Sequence, residues 1–577
     1  MLLPAKWSHT IEAGCLGRAG RGKAAAGGEP QDLARGEEDL MQRTTLATRV
    51  STAAIALSLV GAVPVGAQQQ AGGPVALTID TGSKGPTIDR NIFGQFAEHL
   101  GHGIYDGIWV GANPAIPNVR GIRSDVVKAL RDIKVPNVRW PGGCFGDDYH
   151  WRDGIGPAAK RPSRLNAAWG GVIEPNSFGT HEFMDFADQL GADVFVSVNV
   201  GSGTVQEAAD WLEYLTADKP TTLAQERARN GHPAPYKIKY LGLGNENWGC
   251  GGAMSPDHYV EAMKQFAHYS RNLNTAQVGA QAMQRVAVGW DSGKSDYTDA
   301  VMKAWKEKVW SWDIEGLSLH AYTIPNSWEK KGPSVDFGTD EYARAVKATL
   351  QMGGWIDKQS AIMDRYDPGK KVGLFVDEWG LWADPTPGTN PGFLQQQNTL
   401  RDGILAALNI NIFMRHADRV RGTNIAQMIN VLQSMILTDG PRMVLTPTYH
   451  VYRLFVPFHD ATLVPVRFDA GTIQTAGVKL PRVDAAAARD AQGRLWLSLV
   501  NVDPDRPATI RTTIAGAGAG ASGRTATGQI LTGAKVDSHN DFAHPSEVAL
   551  KPFAGRVAGD QLQFDLPPRS VAVVQVR

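Results

Sequence analysis

Residues 238–249 read IKYLGLGNENWG and residues 372–380 read VGLFVDEWG. Each is a short apolar run that ends on a polar pair containing a glutamate, Asn245-Glu246 in one and Asp377-Glu378 in the other. Apolar runs of four to eight residues bounded by turn signals mark strands buried on both faces. Six more lie along the chain: 91–97 (NIFGQFA), 137–141 (NVRWP), 194–200 (VFVSVNV), 286–290 (VAVGW), 314–320 (IEGLSLH) and 425–430 (IAQMIN). Helical patterns fill the gaps between them, with Ser124 expected to cap DVVKALRDI and Ser255-Pro256 to open DHYVEAMKQFAHYSRNL. Eight strands, each followed by a helix, predict an α/β fold, a (β/α)8 TIM barrel over residues 91–440 with some enlarged loops.

After Gly440 the pattern changes. Segments 450–458, 462–468, 494–502, 508–514 and 570–577 are β-rich, and the Gly/Ala-rich stretch 515–528 interrupts them. Residues 441–577 are therefore expected to form an antiparallel β-sandwich, with residues 75–90 contributing a strand (PVALTIDTG, 74–82) that joins it before the barrel begins.

Composition bounds the function. The 58 basic residues balance the 58 acidic ones, which gives no electrostatic reason to expect nucleic acid or an anionic membrane as partner. Three cysteines exclude a disulfide-built scaffold, and no C-x-x-C pair suggests zinc. From Met41 the chain carries Arg43 and Arg49, the short apolar run 52–63 and then Val65-Gly66-Ala67. That is the three-part pattern of a signal peptide over 41–67, and its apolar run is shorter than the roughly 20 residues of a membrane span. It predicts a periplasmic or secreted protein, with residues 1–40 as an over-extended start or leader. Cys144 and Cys250, each beside a strand end, would then either pair or stand as separate thiols.

In (β/α)8 barrels the reacting groups sit at the C-terminal ends of the strands. Those ends carry Glu98, Arg139, Asn199, Asn245-Glu246, His320 with Tyr322, Asp377-Glu378 and Gln427. A lone strand-end carboxylate is more often a helix cap or loop anchor. Two in matching Trp/Gly contexts fit a retaining glycosidase, whose two carboxyl groups stand about 5–5.5 Å apart. His99 and His102 lack an evident third ligand, so no metal is expected there. The run 289–295 (GWDSGKS) is one residue short of a phosphate loop and is rejected as one.

Four motifs then carry a resemblance: Phe93-Gly94-Gln95-Phe96-Ala97-Glu98-His99-Leu100, Arg139-Trp140-Pro141-Gly142-Gly143, Gly244-Asn245-Glu246-Asn247-Trp248-Gly249 and Asp377-Glu378-Trp379. In sequence and order they resemble the α-L-arabinofuranosidases of glycoside hydrolase family 51, from about residue 75 to the C-terminus. The resemblance implies a barrel with a jelly-roll-like sandwich, retention of anomeric configuration and no cofactor. It implies Glu246 as acid/base and Glu378 as nucleophile. Arg139 would keep Glu378 ionised, Tyr322 would orient it, and Asn245 would donate to the sugar 2-hydroxyl. Glu98, Cys144 and Gln427 fall at sugar-binding positions, Trp382 and Trp109 offer apolar faces, and His320 and Asn199 stand behind the reacting groups. As ordinary structure, Arg139 would be a barrel-end salt bridge and the tryptophans loop packing.

The substrate class implied is an arabinoside side chain of hemicellulose or pectin (arabinan, arabinoxylan or arabino-oligosaccharides), with no nucleic-acid or membrane partner. Relatives often assemble, which admits a homo-oligomer. The rival readings are an endo-β-glycanase on the same barrel and a non-catalytic carbohydrate-binding protein.

Overall fold

The computed structural model describes residues 73–113, 115–516 and 524–577. Eight parallel strands close into a barrel: Gly94–Phe96, Asn137–Trp140, Asp193–Val198, Tyr240–Leu243, Gln284–Ala287, Gly316–Thr323, Gly373–Leu381 and Val420–Ile425. Each pairs with the next in sequence, and the eighth returns to the first through Asn424↔Gly94 and Ile425↔Gln95. Phe195, Tyr240, Val286 and Phe375 fill the interior below the mouth. The barrel is therefore packed, and chemistry is confined to one end.

Two of the expected barrel strands move. Residues 90–93 form a 3-10 turn, because Asp89 accepts from the Asn91 backbone N–H and holds the chain in a turn before the strand starts. The eighth strand is Val420–Ile425, not 425–430. The buried apolar residues Ala426, Met428 and Ile429 form a loop across the strand ends, whose N–H groups reach Trp379 O and Phe96 O. Burial, not ladder pairing, made that loop apolar. Ser255 caps the helix Pro256–Tyr269 by accepting from the His258 N–H, whereas Ser124 is the first residue of its helix and Arg123 stands at the cap.

The C-terminal strands lie in the order Thr462–Val464, Val483–Arg489, Leu495–Asn501, Ser570–Val576, Ala526–Leu531, Lys551–Ala558, Gln561–Leu566, Ala508–Ala515, Val75–Asp80 and Val466–Phe468. Lys551–Ala558 pairs with one sheet through its first half and the other through its second. Leu77, Ile79, Leu497, Leu499, Phe564 and Val574 meet between the sheets as a separate core. Val75–Asp80 runs parallel to Ala508–Ala515 and antiparallel to Val466–Phe468.

Three segments here differ from expectation. Residues 447–455 are a helix, because Thr446 caps it and Pro447 takes its first position; the aromatic and β-branched run TYHVYRLF had the look of a strand. The strand Ala526–Leu531 begins within the stretch 515–528 expected to interrupt the sandwich, while residues 517–523 lie outside the described residues. Val483–Arg489 is a strand despite its alanines. Ala485 and Ala487 belong to the sandwich core, and Ala486 and Ala488 to the barrel's. Small side chains let this strand lie between the opposing sheet and the helix Leu400–Arg415, which is buried almost throughout.

No helix among the described residues is long and apolar enough to cross a membrane.

Candidate active site

Glu378 lies within the seventh barrel strand, directly beside His320 of the sixth in register. Arg139 Nη1 donates to Glu378 Oε1 at 2.8 Å, and the Tyr322 hydroxyl donates to Oε2 at 2.8 Å. The Arg139 guanidinium is 1% exposed and lies 4.5 Å over the Phe96 ring. A buried guanidinium needs such partners, since removing one costs about 3–5 kcal/mol. At Asp377 burial is the largest single influence and raises the pKa, but Arg139 and His320 together outweigh it and hold that carboxyl below the usual range.

Glu246 follows the fourth strand in a left-handed conformation (φ 42°). Its carbonyl accepts the N–H groups of Gly249 and Gly251, a turn that presents the side chain to the barrel mouth. Gly251 is obligatory: a Cβ there would stand 1.9 Å from Asn245 O. Beneath this turn Asp147 accepts the N–H groups of Val200, Gly201 and Asn245 at 2.7–3.0 Å. Burial pushes its carboxyl up to about 7 against the pull of these donors.

Arg139 Nη2 donates to Asn245 Oδ1 at 2.6 Å. With its oxygen so engaged, Asn245 presents its amide nitrogen to the cavity.

His320 joins the two glutamates. Its Nδ1 is 2.7 Å from Glu246 Oε1 and 3.5 Å from Glu378 Oε2, and its Nε2 is 3.4 Å from Asp377 Oδ1. Burial works against its charge, but Glu378, Asp377 and Glu246 prevail and hold the imidazole protonated. At Glu246, burial raises the pKa and Glu378 adds to it, while His320 opposes both. One carboxylate oxygen from each glutamate and a His320 nitrogen all lie within 4.8 Å of one another.

These groups open into a cavity of about 560 Å³ lined by Glu98, Cys144, Asn245, Glu246, His320, Tyr322, Glu378, Trp382 and Gln427, among others. Glu98 accepts from the Gly143 and Phe145 N–H groups, Trp169 Nε1 and Gln427 Nε2. Burial, then the Glu378 charge, pushes Glu98 up to about 7. Gly143 lets the chain pass close by, since a Cβ would come within 2.9 Å of Glu378 Oε1. The Arg164–Asn166/Val172–Glu174 hairpin meets the 391–394 turn where Gly170 packs on Phe393 and Gly392. Trp169 of the hairpin, which donates to Glu98, and Leu394 of that turn both line the cavity. Tyr322 and Trp328 pack edge-on to Trp382, each at 5.0 Å.

Two residues named from sequence lie elsewhere. Asn199 ties down its own loop through Tyr149 O and the Ser202 and Gly203 N–H groups. Trp109 packs on Phe178 at 5.8 Å. His99 is buried between Glu174 and Trp140, while His102 faces Asp106. Cys144 and Cys250 form a disulfide in the cavity wall. Among the described residues, two sets of side chains converge closely enough to ligate a cation: Glu246–His320–Glu378 and Cys144–Glu246–Cys250. In the first, the protonated imidazole is a donor and not a ligand.

Comparison with known proteins places this geometry. Residues 129–313 match the α-L-arabinofuranosidase 1 domain, and residues 377–570 the α-L-arabinofuranosidase C-terminal domain. An intracellular exo-α-L-arabinofuranosidase of Bacteroides ovatus is 41% identical, over 92% of this chain and 99% of its own length. The chain belongs to glycoside hydrolase family 51. A family 51 arabinofuranosidase from Xanthomonas axonopodis pv. citri superposes with a TM-score of 0.83 at 44% identity, over 87% of this chain and all of that one. The Thermotoga maritima α-L-arabinofuranosidase gives 0.74 at 30% identity, over 87% and 99%.

The same comparison corrects the expected location. The Bacteroides relative, matched over nearly its whole length, is named an intracellular enzyme, so the periplasmic or secreted assignment does not stand. Residues 1–40 and 41–67, on which it rested, lie outside the described residues.

Sequence reasoning missed Asp147, Trp169, Trp248, Asp291, Ser292 and Trp328. The last five line the cavity from loops without periodic pattern. Asp291 and Ser292 belong to the rejected phosphate-loop run; the Ser292 N–H bonds His320 O. The available signal was the abundance of tryptophan, 16 in the chain, with Trp248 inside one of the four motifs.

Proposed function

We propose that this family 51 glycosidase removes terminal α-L-arabinofuranosyl groups by double displacement, with Glu378 as nucleophile and Glu246 as acid/base. The observation that carries the assignment is the approach of the two carboxylates within 4.8 Å. That spacing suits direct attack, whereas inversion needs about 6.5–9.5 Å to admit a water.

Glu378, oriented by hydrogen bonds from Arg139 and Tyr322, attacks the anomeric carbon. The glycosidic bond breaks with its electrons on the leaving oxygen, which takes the Glu246 proton. Glu246, now a base, removes a proton from water, and that water releases arabinose from Glu378. Asn245 donates to the 2-hydroxyl, a bond that strengthens as the anomeric carbon becomes positive. Glu98 and Gln427 hold the terminal sugar, and Trp382 gives it an apolar wall. The sugar beyond the bond lies toward Trp248 and Trp328 at the open side. Arabinoside side chains of hemicellulose or pectin, as arabinan, arabinoxylan or their oligosaccharides, are the substrates.

Azide separates the two roles. The Glu246→Ala protein should form the glycosyl-enzyme from a nitrophenyl arabinofuranoside and, with azide, yield the α-azide at a restored rate. Glu378→Ala should be inactive and give only the β-azide. Against an oligosaccharide, Glu246→Ala should lose about 10²–10⁴-fold in kcat/KM, the usual share of general acid catalysis. Wild-type rates in both variants would refute the assignment.

A further inference from the structure

Among the described residues, the disulfide is the one side-chain covalent link between the loops after the second and fourth barrel strands. Cys144 follows the second barrel strand and Cys250 the fourth, with Cα atoms 5.4 Å apart. Both sulfurs line the active-site cavity, and Cys250 is exposed to solvent. Cys250 Sγ lies 3.6 Å from Glu246 Oε2. Both sulfurs and one Glu246 oxygen fall within 4.8 Å of one another.

We propose that reduction of this disulfide by a dithiol creates a site for a thiophilic divalent cation, zinc or cadmium, ligated by Cys144, Cys250 and Glu246, and that occupancy shuts the enzyme off. In the reduction the S–S bond breaks. The dithiol gives up two electrons and two protons, closes to its own disulfide, and leaves Cys144 and Cys250 as thiols. The cation then replaces the two thiol protons and the Glu246 carboxyl proton, all of which pass to water, and gains two metal–sulfur bonds and one bond to a Glu246 oxygen.

The geometry is already close to that required. A tetrahedral zinc ion with bonds of about 2.3 Å to sulfur and about 2.1 Å to oxygen sets such ligands about 3.6 Å apart. This is the separation of Cys250 Sγ and Glu246 Oε2. Two sulfurs on the same ion stand about 3.8 Å apart, so the main movement needed is the parting of the sulfurs once their bond is gone. Asn245 Nδ2, 3.9 Å from Cys250 Sγ, is placed to support the thiolate charge. Three protein ligands leave the fourth position toward the cavity. Thiolates select soft cations, and the neighbouring Glu246–His320–Glu378 group offers no sulfur. Inhibition follows because the bound carboxylate can neither give nor take a proton; this part rests on the acid/base role proposed for Glu246, whereas the metal site does not.

The test uses the full-length enzyme, oxidised or treated with dithiothreitol and desalted without air. Cadmium is titrated while thiolate–cadmium ultraviolet absorption and aryl arabinofuranosidase activity are read together. The expected result is one cadmium per reduced chain, with absorption rising as activity falls at least about 20-fold, reversal by a chelator, and neither change in the oxidised enzyme. Cys250→Ser, compared with its own cadmium-free rate, should lose the stoichiometric absorption. Absence of that absorption in reduced enzyme, its persistence in Cys250→Ser, or full activity with cadmium bound would each overturn the proposal. Failure to cleave the arabinofuranoside before any metal is added would count against the functional reading alone, because absorption reports the site independently.

Discussion

At Glu246 burial favours the neutral acid, while the His320 imidazolium, 2.7 Å away, favours the anion. Replacing His320 by Gln removes the opposing charge, so the pKa of Glu246 rises. The alkaline limb of kcat/KM, where the acid loses its proton, should therefore move to higher pH, even as the maximum rate falls through loss of the link to Glu378. A pH–rate profile on an unactivated arabinoside checks this; an alkaline limb that stayed in place or moved to lower pH would contradict it. The two glutamates that meet at the cavity were legible in the sequence because each follows an apolar run inside a distinctive motif. His320 was legible as a neighbour, but its contact with both glutamates depends on the register between the sixth and seventh strands and the irregularity between Ser318 and His320, which no local pattern encodes. Trp169 was hidden for a related reason. It reaches Glu98 from a hairpin tip whose position is set by contacts distant in sequence, the Asn166 amide donating to His99 O and Gly170 packing on Phe393.

The loops after the second, third and fourth strands are tied together by Asp147. Its carboxylate holds three backbone N–H groups, one of them from the residue before Glu246. Asp147→Ala leaves those donors buried and unpaired, at about 1–3 kcal/mol each. The protein should lose about 3 kcal/mol or more of stability in urea denaturation and lose kcat with it; a loss below about 1 kcal/mol would show that the loops hold without this carboxylate. Elements were legible where periodicity and burial agree, as in the strand Gly373–Leu381. They were misread where burial is supplied from elsewhere. The loop after Ile425 is apolar because it lies under the strand ends. The helix Pro447–Phe455 is rich in aromatic residues because it packs beneath the sandwich. In that helix the Thr446-Pro447 start signal outweighed the strand-like composition.

On the scale of the molecule, barrel and sandwich share one buried helix. Leu400–Arg415 meets the seventh barrel strand on one side. Toward the other side it bonds Asp484 through Asn411 and Arg415, and its first N–H groups reach Ser538 and Val536 carbonyls. A chain ending at Gly440 would bare that face and should aggregate, as judged by size-exclusion chromatography; a soluble, active barrel would show that the sandwich is dispensable. The two-part architecture was legible from the change of pattern near Gly440. The alanine strand Val483–Arg489 was not, because its small side chains have meaning only between two layers. Attack by Glu378 with Glu246 as proton donor is tested by proton NMR of the first sugar released from an aryl α-L-arabinofuranoside. Two displacements predict α-arabinofuranose before mutarotation; β-arabinofuranose appearing first would mean single-step inversion and would contradict the account.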